Sequence, residues 1–282
     1  MCNPTEHFER HSLQSIDGIS FKLKRAYDFN FLNEYGTVFR AYDDQDSGNI
    51  CFGTEKNGRR YFIKFAGAPT ERYNGDPADA IARLKAAVPV YSELHHENLI
   101  ELVDARAVGG GFAMVFKWAP GDCMGRMYPA AHQRFMQLPT RARLTVFRDI
   151  LNFFEYIAAQ SYVAIDFYDG SVMYDFESGR TTICDIDLFR KQPYTNDMGR
   201  MWGSSRFQSP EEFQLGAVID EVTNVYTVGA TAFALFGGYH RTREYWQLGD
   251  QPFEVATKAV SDARSQRQQS IQQWSEEWET AL

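Results

Sequence analysis

Cysteine is scarce in this chain: four in 282 residues, Cys2, Cys51, Cys123 and Cys184, with no C-x-x-C pair. That usage indicates neither a structural zinc site nor a disulfide framework. No apolar run reaches the roughly 18 residues of a membrane span. The opening Met-Cys-Asn-Pro-Thr-Glu-His lacks the basic-then-apolar pattern of a secretory signal. A cytoplasmic location with no membrane partner is therefore expected. Basic charge is also in deficit, 29 Lys and Arg against 37 Asp and Glu, so a nucleic-acid partner is not expected. Internal repeats and low-complexity linkers are missing as well. What remains is 44% hydrophobic and 23% charged, ordinary for a soluble enzyme and long enough for one large domain or two lobes.

The texture changes once along the chain. Up to about residue 117 it is mainly strand-like, with β patterns over Thr37–Tyr42, Asn49–Thr54 and Arg60–Phe65. Lys56-Asn57-Gly58 joins the last two, and Asn-Gly between alternating runs is a strong hairpin signal. Pro77 to Leu94 reads as a helix kinked at Pro89, followed by strands near Leu99–Ala105 and Phe112–Lys117 around Gly109-Gly110-Gly111. Beyond Pro120-Gly121 the pattern is helical: Leu144, Phe147, Leu151 and Phe154 form one stripe, and Val225 to Phe236 is apolar on nearly all sides. Ile271, Trp274, Trp278 and Leu282 share a face and read as core anchors.

Two apolar runs end in aspartate, Ile165-Asp166 and Ile183-Cys184-Asp185, nineteen residues apart. A strand-like piece, Ser171–Asp175, and a turn around Gly179 lie between, so a hairpin is expected to bring Asp166 and Asp185 to one cleft. One base and one metal-ligating carboxylate at a single site is what phosphoryl transfer from Mg-ATP requires.

Several segments, in order, resemble the protein-kinase family. Tyr61-Phe62-Ile63-Lys64 looks like its Val-Ala-Ile-Lys strand, and His96-Glu97-Asn98-Leu99-Ile100 like the segment after its regulatory helix. Ala164-Ile165-Asp166 with Ser171 five residues on is similar to His-Arg-Asp-x-x-x-x-Asn, and Asp185-Ile186-Asp187 stands where Asp-Phe-Gly would. Gly203-Ser204 through Ser209-Pro210-Glu211 resembles the family's peptide-docking segment, Asn224–Gly229 the start of its central buried helix, and Arg267 the arginine that pairs with the docking-segment glutamate. The resemblance runs from about residue 36 to 280. It implies an α+β, protein-kinase-like bilobal fold: an extension over 1–19, an N-lobe over 20–117 with an antiparallel sheet and one helix, and a mainly helical C-lobe over 118–282.

It also implies function: transfer of the γ-phosphate of ATP, with Mg²⁺ or Mn²⁺, to Ser or Thr of a protein or peptide in the manner of a divergent bacterial Ser/Thr kinase. Lys64 would hold phosphate oxygens, Asp166 would take the proton of the attacking hydroxyl, and Asp185 with Ser171 and Asp187 would hold the metal. Gly48, Asn49, Ile50, Phe62, Phe116 and Trp118 would line the nucleotide, and Ser204, Pro210, Glu211 and Arg267 would build the docking segment. A pseudokinase scaffold and a small-molecule kinase of the antibiotic-phosphotransferase type stay open as alternatives.

The departures matter equally. The glycine loop shrinks to Gln45-Asp46-Ser47-Gly48-Asn49, and the regulatory-helix glutamate falls at Ala87. Phe62 replaces a small alanine beside the adenine. Tyr168 replaces a lysine, Ser171 the metal-binding asparagine, and Asp187 a glycine, with Asp169 a further candidate ligand. Ala164, Ile165 and Asn224 replace a His-Arg pair and the aspartate that braces it, so switching by a phosphorylated loop read by that arginine is not expected.

Overall fold

A computed structural model describes residues 12–282; Cys2 and the first eleven positions of the expected extension lie outside the described residues. The architecture is α+β, with six α-helices and several antiparallel sheets among the described residues. The described residues divide into two compact units, 12–92 with 100–119 and 93–99 with 120–282.

In the first unit, β1 (Ser12–Ile16) and β2 (Ile19–Leu23) form a hairpin from residues read in sequence as extension and lobe boundary. Phe21 and Leu23 of β2 are buried with Phe29, Phe31, Phe52 and Phe65 in one hydrophobic cluster. The main sheet comprises β3 (Thr37–Tyr42), β4 (Asn49–Lys56), β5 (Arg59–Ala66), β6 (Leu102–Val108) and β7 (Gly111–Lys117), in the order β3-β4-β5-β7-β6, all antiparallel. α1 (Pro77–Glu93) lies between β5 and β6 in the chain. Asn57 and Gly58 both take positive φ, 54° and 73°, the two-residue turn whose twist suits a hairpin. Strand alternation then sends Ile50, Phe52, Ile63 and Phe65 into the cluster. Cys51, Phe62 and Lys64 fall on the opposite face.

The second unit holds β8 (Asp122–Cys123), α2 (Pro129–Met136), α3 (Thr140–Ala159), β9 (Tyr162–Val163), β10 (Val172–Tyr174), β11 (Thr181–Ile183), β12 (Arg190–Lys191), β13 (Tyr194–Thr195), β14 (Val218–Ile219), α4 (Glu221–Phe236), α5 (Asp250–Ala259) and α6 (Ile271–Ala281). Every residue of α4 from Thr223 to Phe236 is buried, as the all-round apolar run predicts. Asp220 caps it, accepting from the Val222 N–H at 2.9 Å. Gly229 permits close packing of α4 on α5: a Cβ there would lie 2.6 Å from that of Ala259. Phe147 of α3 meets Phe236, Trp274 and Trp278 within 5.6 Å, and the two tryptophans stack.

Two expectations shift. The strand expected from Leu99 begins at Leu102, because Leu99 instead bridges Ile183 in parallel and belongs to the second unit. Leu282 is 58% exposed rather than on the buried stripe, since α6 ends at Ala281 and nothing packs over its last residue. Trp274 is fully buried, so Trp274→Ala is expected to cost about 3–5 kcal/mol, read as a lower urea midpoint at unchanged slope.

Candidate active site

In the second unit, β9 runs into Ala164-Ile165-Asp166, whose two apolar members are buried and leave Asp166 at the rim of the core. Asn224, at the start of α4 and fully buried, clamps this stretch from behind. Its carboxamide oxygen accepts from Ala164 N–H at 2.8 Å and its nitrogen donates to Tyr162 C=O at 3.0 Å. An aspartate here could accept but not donate, so asparagine suits a bare backbone with one group of each kind.

The second aspartate arrives on β11. Thr181 donates to Asp149 of α3 at 2.5 Å, Ile183 N–H to Asn98 C=O at 2.6 Å, and Cys184 N–H to Ser171 C=O at 2.8 Å. Asp149's carboxyl is itself raised by burial. Asp185 follows, exposed, at φ +57°, and Asp166 sits at φ +64°. Left-handed backbone outside glycine is uncommon and collects at functional sites. The charges of both aspartates reach one side chain: the Tyr168 phenol is pushed well above its ordinary range by burial, then by Asp185 and Asp166. Cys123 is pushed up to about 11 by burial, with Asp169 and Asp185 adding to it.

Ser171 is fully buried and its hydroxyl accepts from Tyr168 N–H at 3.4 Å, so it is turned into its own loop. Asp187 is half-buried, and its carbonyl accepts from Arg190 at 3.4 Å. Asp169, the further candidate ligand, is engaged otherwise. Arg206 donates to both its oxygens at 3.0 and 3.2 Å, and Tyr239 donates to one at 2.6 Å. Three donors thus hold this carboxylate toward Arg206 and Tyr239.

The 196–220 segment is built around Glu211. Arg267 donates to its two oxygens at 2.7 and 3.0 Å, Arg264 to one at 2.6 Å, and Thr223 to the same oxygen at 3.0 Å. Burial would raise this carboxyl, but the two guanidiniums outweigh it and hold it below the usual range. Exposed Pro210 opens a short helical turn in which Glu212 accepts from both the N–H and the hydroxyl of Ser209, at 2.7 and 2.9 Å. Ser204 is half-buried, and its carbonyl accepts from Phe207 N–H at 2.9 Å. A Cβ added at Gly203 would lie 3.2 Å from an Asp166 carboxylate oxygen, which keeps this segment against the Asp166 loop.

In the first unit, Lys64 is half-buried between Cys51 and Met114 in register. Phe62 shares its face, with ring centroids 5.9 Å from Tyr42 and 6.4 Å from Phe116. Trp118 meets Phe39 at 4.9 Å. Both rings rest on Gly53, where a Cβ would lie 2.8 and 2.9 Å from them. Ile50 is a correction: it is fully buried in the core, because alternation along β4 puts it on the face opposite Lys64. Gly48, at φ +81°, packs on Ala80 and Tyr73, and Arg83 donates to the Ser47 carbonyl at 3.0 Å. Asn49 is buried, its amide donating to the Ser47 hydroxyl at 3.2 Å. The shortened loop therefore lies pinned on α1.

Sequence reasoning missed Arg206, Tyr239 and Asp149, which reach the site from 37, 70 and 32 positions away along the chain. No local pattern announces such pairs.

No family model matches the chain, and no curated protein matches it. Among the described residues, no helix is long and apolar enough to cross a membrane.

Two predictions concern Glu211 and Glu212. Arg267→Ala strands a buried carboxylate and is expected to cost about 3–5 kcal/mol, with less loss in Arg267→Lys, by urea unfolding. Glu212 is raised to about 7 by burial. Its contribution is present below the ordinary carboxylate range and lost as pH rises through about 7. Glu212→Gln, which keeps an acceptor for Ser209, is expected to flatten that loss between about pH 5 and 8, on the order of 2–3 kcal/mol.

Proposed function

We propose that this chain is an ATP-dependent phosphotransferase of the protein-kinase type, acting on Ser or Thr hydroxyls of a protein. The observation that carries it is the pair of aspartates at positive φ, Asp166 and Asp185, on segments joined by the Cys184 N–H to Ser171 C=O hydrogen bond at 2.8 Å. Independent support comes from the buried Glu211–Arg267 pair, which joins the two residues that the kinase resemblance couples. The bilobal kinase fold belongs to the same proposal, as does a need for Mg²⁺ or Mn²⁺.

The donor chemistry suits such a metal in part. Among the described residues no group of three or more His, Cys, Asp or Glu is poised to hold a metal ion. Mg²⁺ does not require one, since it is commonly held by one or two carboxylates plus substrate phosphates. Asp185, exposed and hard in its oxygens, is the residue that would hold it, with Asp187 beside it in sequence. Ser171, with its hydroxyl turned into the loop, fits this role less well. When bound, the metal supplies positive charge to the β- and γ-phosphates.

The chain's own residues would do the rest. Asp166, on a backbone clamped by Asn224, would orient the acceptor hydroxyl and take its proton as the new O–P bond forms and the bond from the γ-phosphorus to the departing ADP oxygen breaks. Lys64 would hold phosphate oxygens as a point charge. The Glu211 pair would keep the docking segment at a fixed height for a peptide. With labelled ATP and Mg²⁺ or Mn²⁺, the wild type is expected to label itself or a generic protein. Asp166→Asn and Lys64→Met are expected to lose about 10²-fold or more. Absence of transfer by the wild type to any protein would remove the proposal.

One observation favours a second function, nucleotide-binding or scaffolding without transfer. Phe39, Phe62 and Trp118 cover the Lys64 side of the sheet over Gly53, and the 45–49 loop is fastened to α1 rather than left open for phosphates. On this account ATP raises the wild-type melting temperature little, and Phe62→Ala increases that rise. An equal ATP response in both proteins would dismiss the aromatic obstruction.

A further inference from the structure

Three arginines gather on one side of the Asp166 loop. Arg126 is exposed, with its guanidinium 5.2 Å from the ring centre of Tyr239. Arg206 lies 4.8 Å from the same ring centre. Arg241 donates to the Arg206 carbonyl at 3.0 Å and to the Tyr226 hydroxyl at 2.7 Å. Among the described residues, Asp169 is the carboxylate paired with any of them, and it takes Arg206 alone. Among the described residues, neither Arg126 nor Arg241 makes an ion pair. Asp169 is thus the one carboxylate paired within the cluster, with Asp166 at its border near Gly203, in a chain with 37 acidic and 29 basic residues.

The cluster borders the candidate catalytic residues. A Cβ at Gly125 would lie 3.0 Å from Gly170 Cα, so Arg126 leaves the backbone beside the 166–171 loop. Arg206 is three residues from Gly203, where a Cβ would lie 3.2 Å from the Asp166 carboxylate. The arrangement is also held at a cost. Tyr239 sits at φ +71°, strained for a bulky aromatic, and that backbone places its hydroxyl on Asp169 at 2.6 Å. Burial and the Asp169 charge keep this phenol protonated well above its ordinary range, so it remains a donor. Asp169 and Tyr239 together fix Arg206, which is 30% exposed, and the ring supports Arg126.

We infer that Arg126, Arg206 and Arg241 form an acid-reading patch, and that the protein substrate carries Asp or Glu close to its acceptor Ser or Thr. The inference rests on the proposed phosphotransferase function and names its substrate class. Guanidinium forks match carboxylates in shape and charge, and Arg126 and Arg241 still have that capacity to spend. An acidic peptide fits better than nucleic acid: three arginines on a chain of formal charge −8 are few for a phosphate backbone, which commonly engages about six to ten contacts.

The test is direct binding, independent of catalysis. Fluorescein-labelled peptides with one central serine, flanked by Glu or by Lys, are titrated with the full chain and followed by anisotropy. The Glu-flanked peptide is expected to bind about 10-fold or more tightly, with the difference shrinking as salt rises. Arg126→Glu, at an exposed side chain with no hydrogen-bond partner among the described residues, is expected to abolish most of that preference at unchanged melting temperature; Arg241→Gln is expected to reduce it. Equal affinity for the two peptides, an Arg126→Glu protein that binds like the wild type, or tighter binding of a single-stranded oligonucleotide would each overturn the inference. Transfer from labelled ATP to the same peptides is measured in parallel. Acid-selective binding without transfer keeps the patch and sinks the phosphotransferase, whereas transfer without acid selectivity does the reverse.

Discussion

A carboxylate buried between two guanidiniums organises much of the second unit. Glu211 receives Arg267 through both oxygens and Arg264 through one. Its own backbone carbonyl accepts from Asn196, whose side chain also ties Gly199, and Asn196 pairs through its backbone with Gly216 and Ala217. An excursion of over twenty residues with little regular structure is thereby anchored on Glu211, through its two ion pairs and the Asn196 hydrogen bonds. Burying that charge is tolerable only because the guanidiniums and a hydroxyl satisfy it. The strong direction of the arrangement is its intolerance of losing one member.

The Asp166 loop depends on a different kind of constraint, a backbone held by amides rather than charges. Asn224 supplies one acceptor and one donor to two peptide groups. Asp149, Asn98 and Ser171 do comparable work for the strand that carries Asp185. Positive φ at both aspartates is sustained because the surroundings over-determine it. Preorganised geometry of this sort is what transition-state stabilisation draws on, since nothing has to be rearranged when charge develops.

The two units differ in what holds their candidate residues. In the second, Asn224 braces bare backbone, and Arg206 ties Asp169 to the 203–209 segment. In the first, bulk and fastening dominate. Aromatic rings occupy the space over Gly53, and Arg83 and Tyr73 hold the 45–49 loop. Hydrogen bonds and an ion pair thus organise the aspartate segments of the second unit, whereas aromatic packing and a fastened loop organise the Lys64 side of the first.

Local patterns in the chain were enough for the elements. Asn57-Gly58 determined the β4–β5 hairpin, because only residues tolerant of positive φ make that turn. The apolar run from Val225 determined a buried helix, and the two apolar segments ending in aspartate marked Asp166 and Asp185. Pairings that span long stretches of chain were legible only where a resemblance supplied them, as for Glu211 with Arg267. Which face Ile50 takes, that Leu99 pairs with Ile183, that Asp169 is bound by Arg206 and Tyr239, and that three arginines share one border were decided by tertiary structure. The physical reason is range: turn and periodicity preferences act over a few residues, whereas these contacts join positions tens of residues apart once the core has closed.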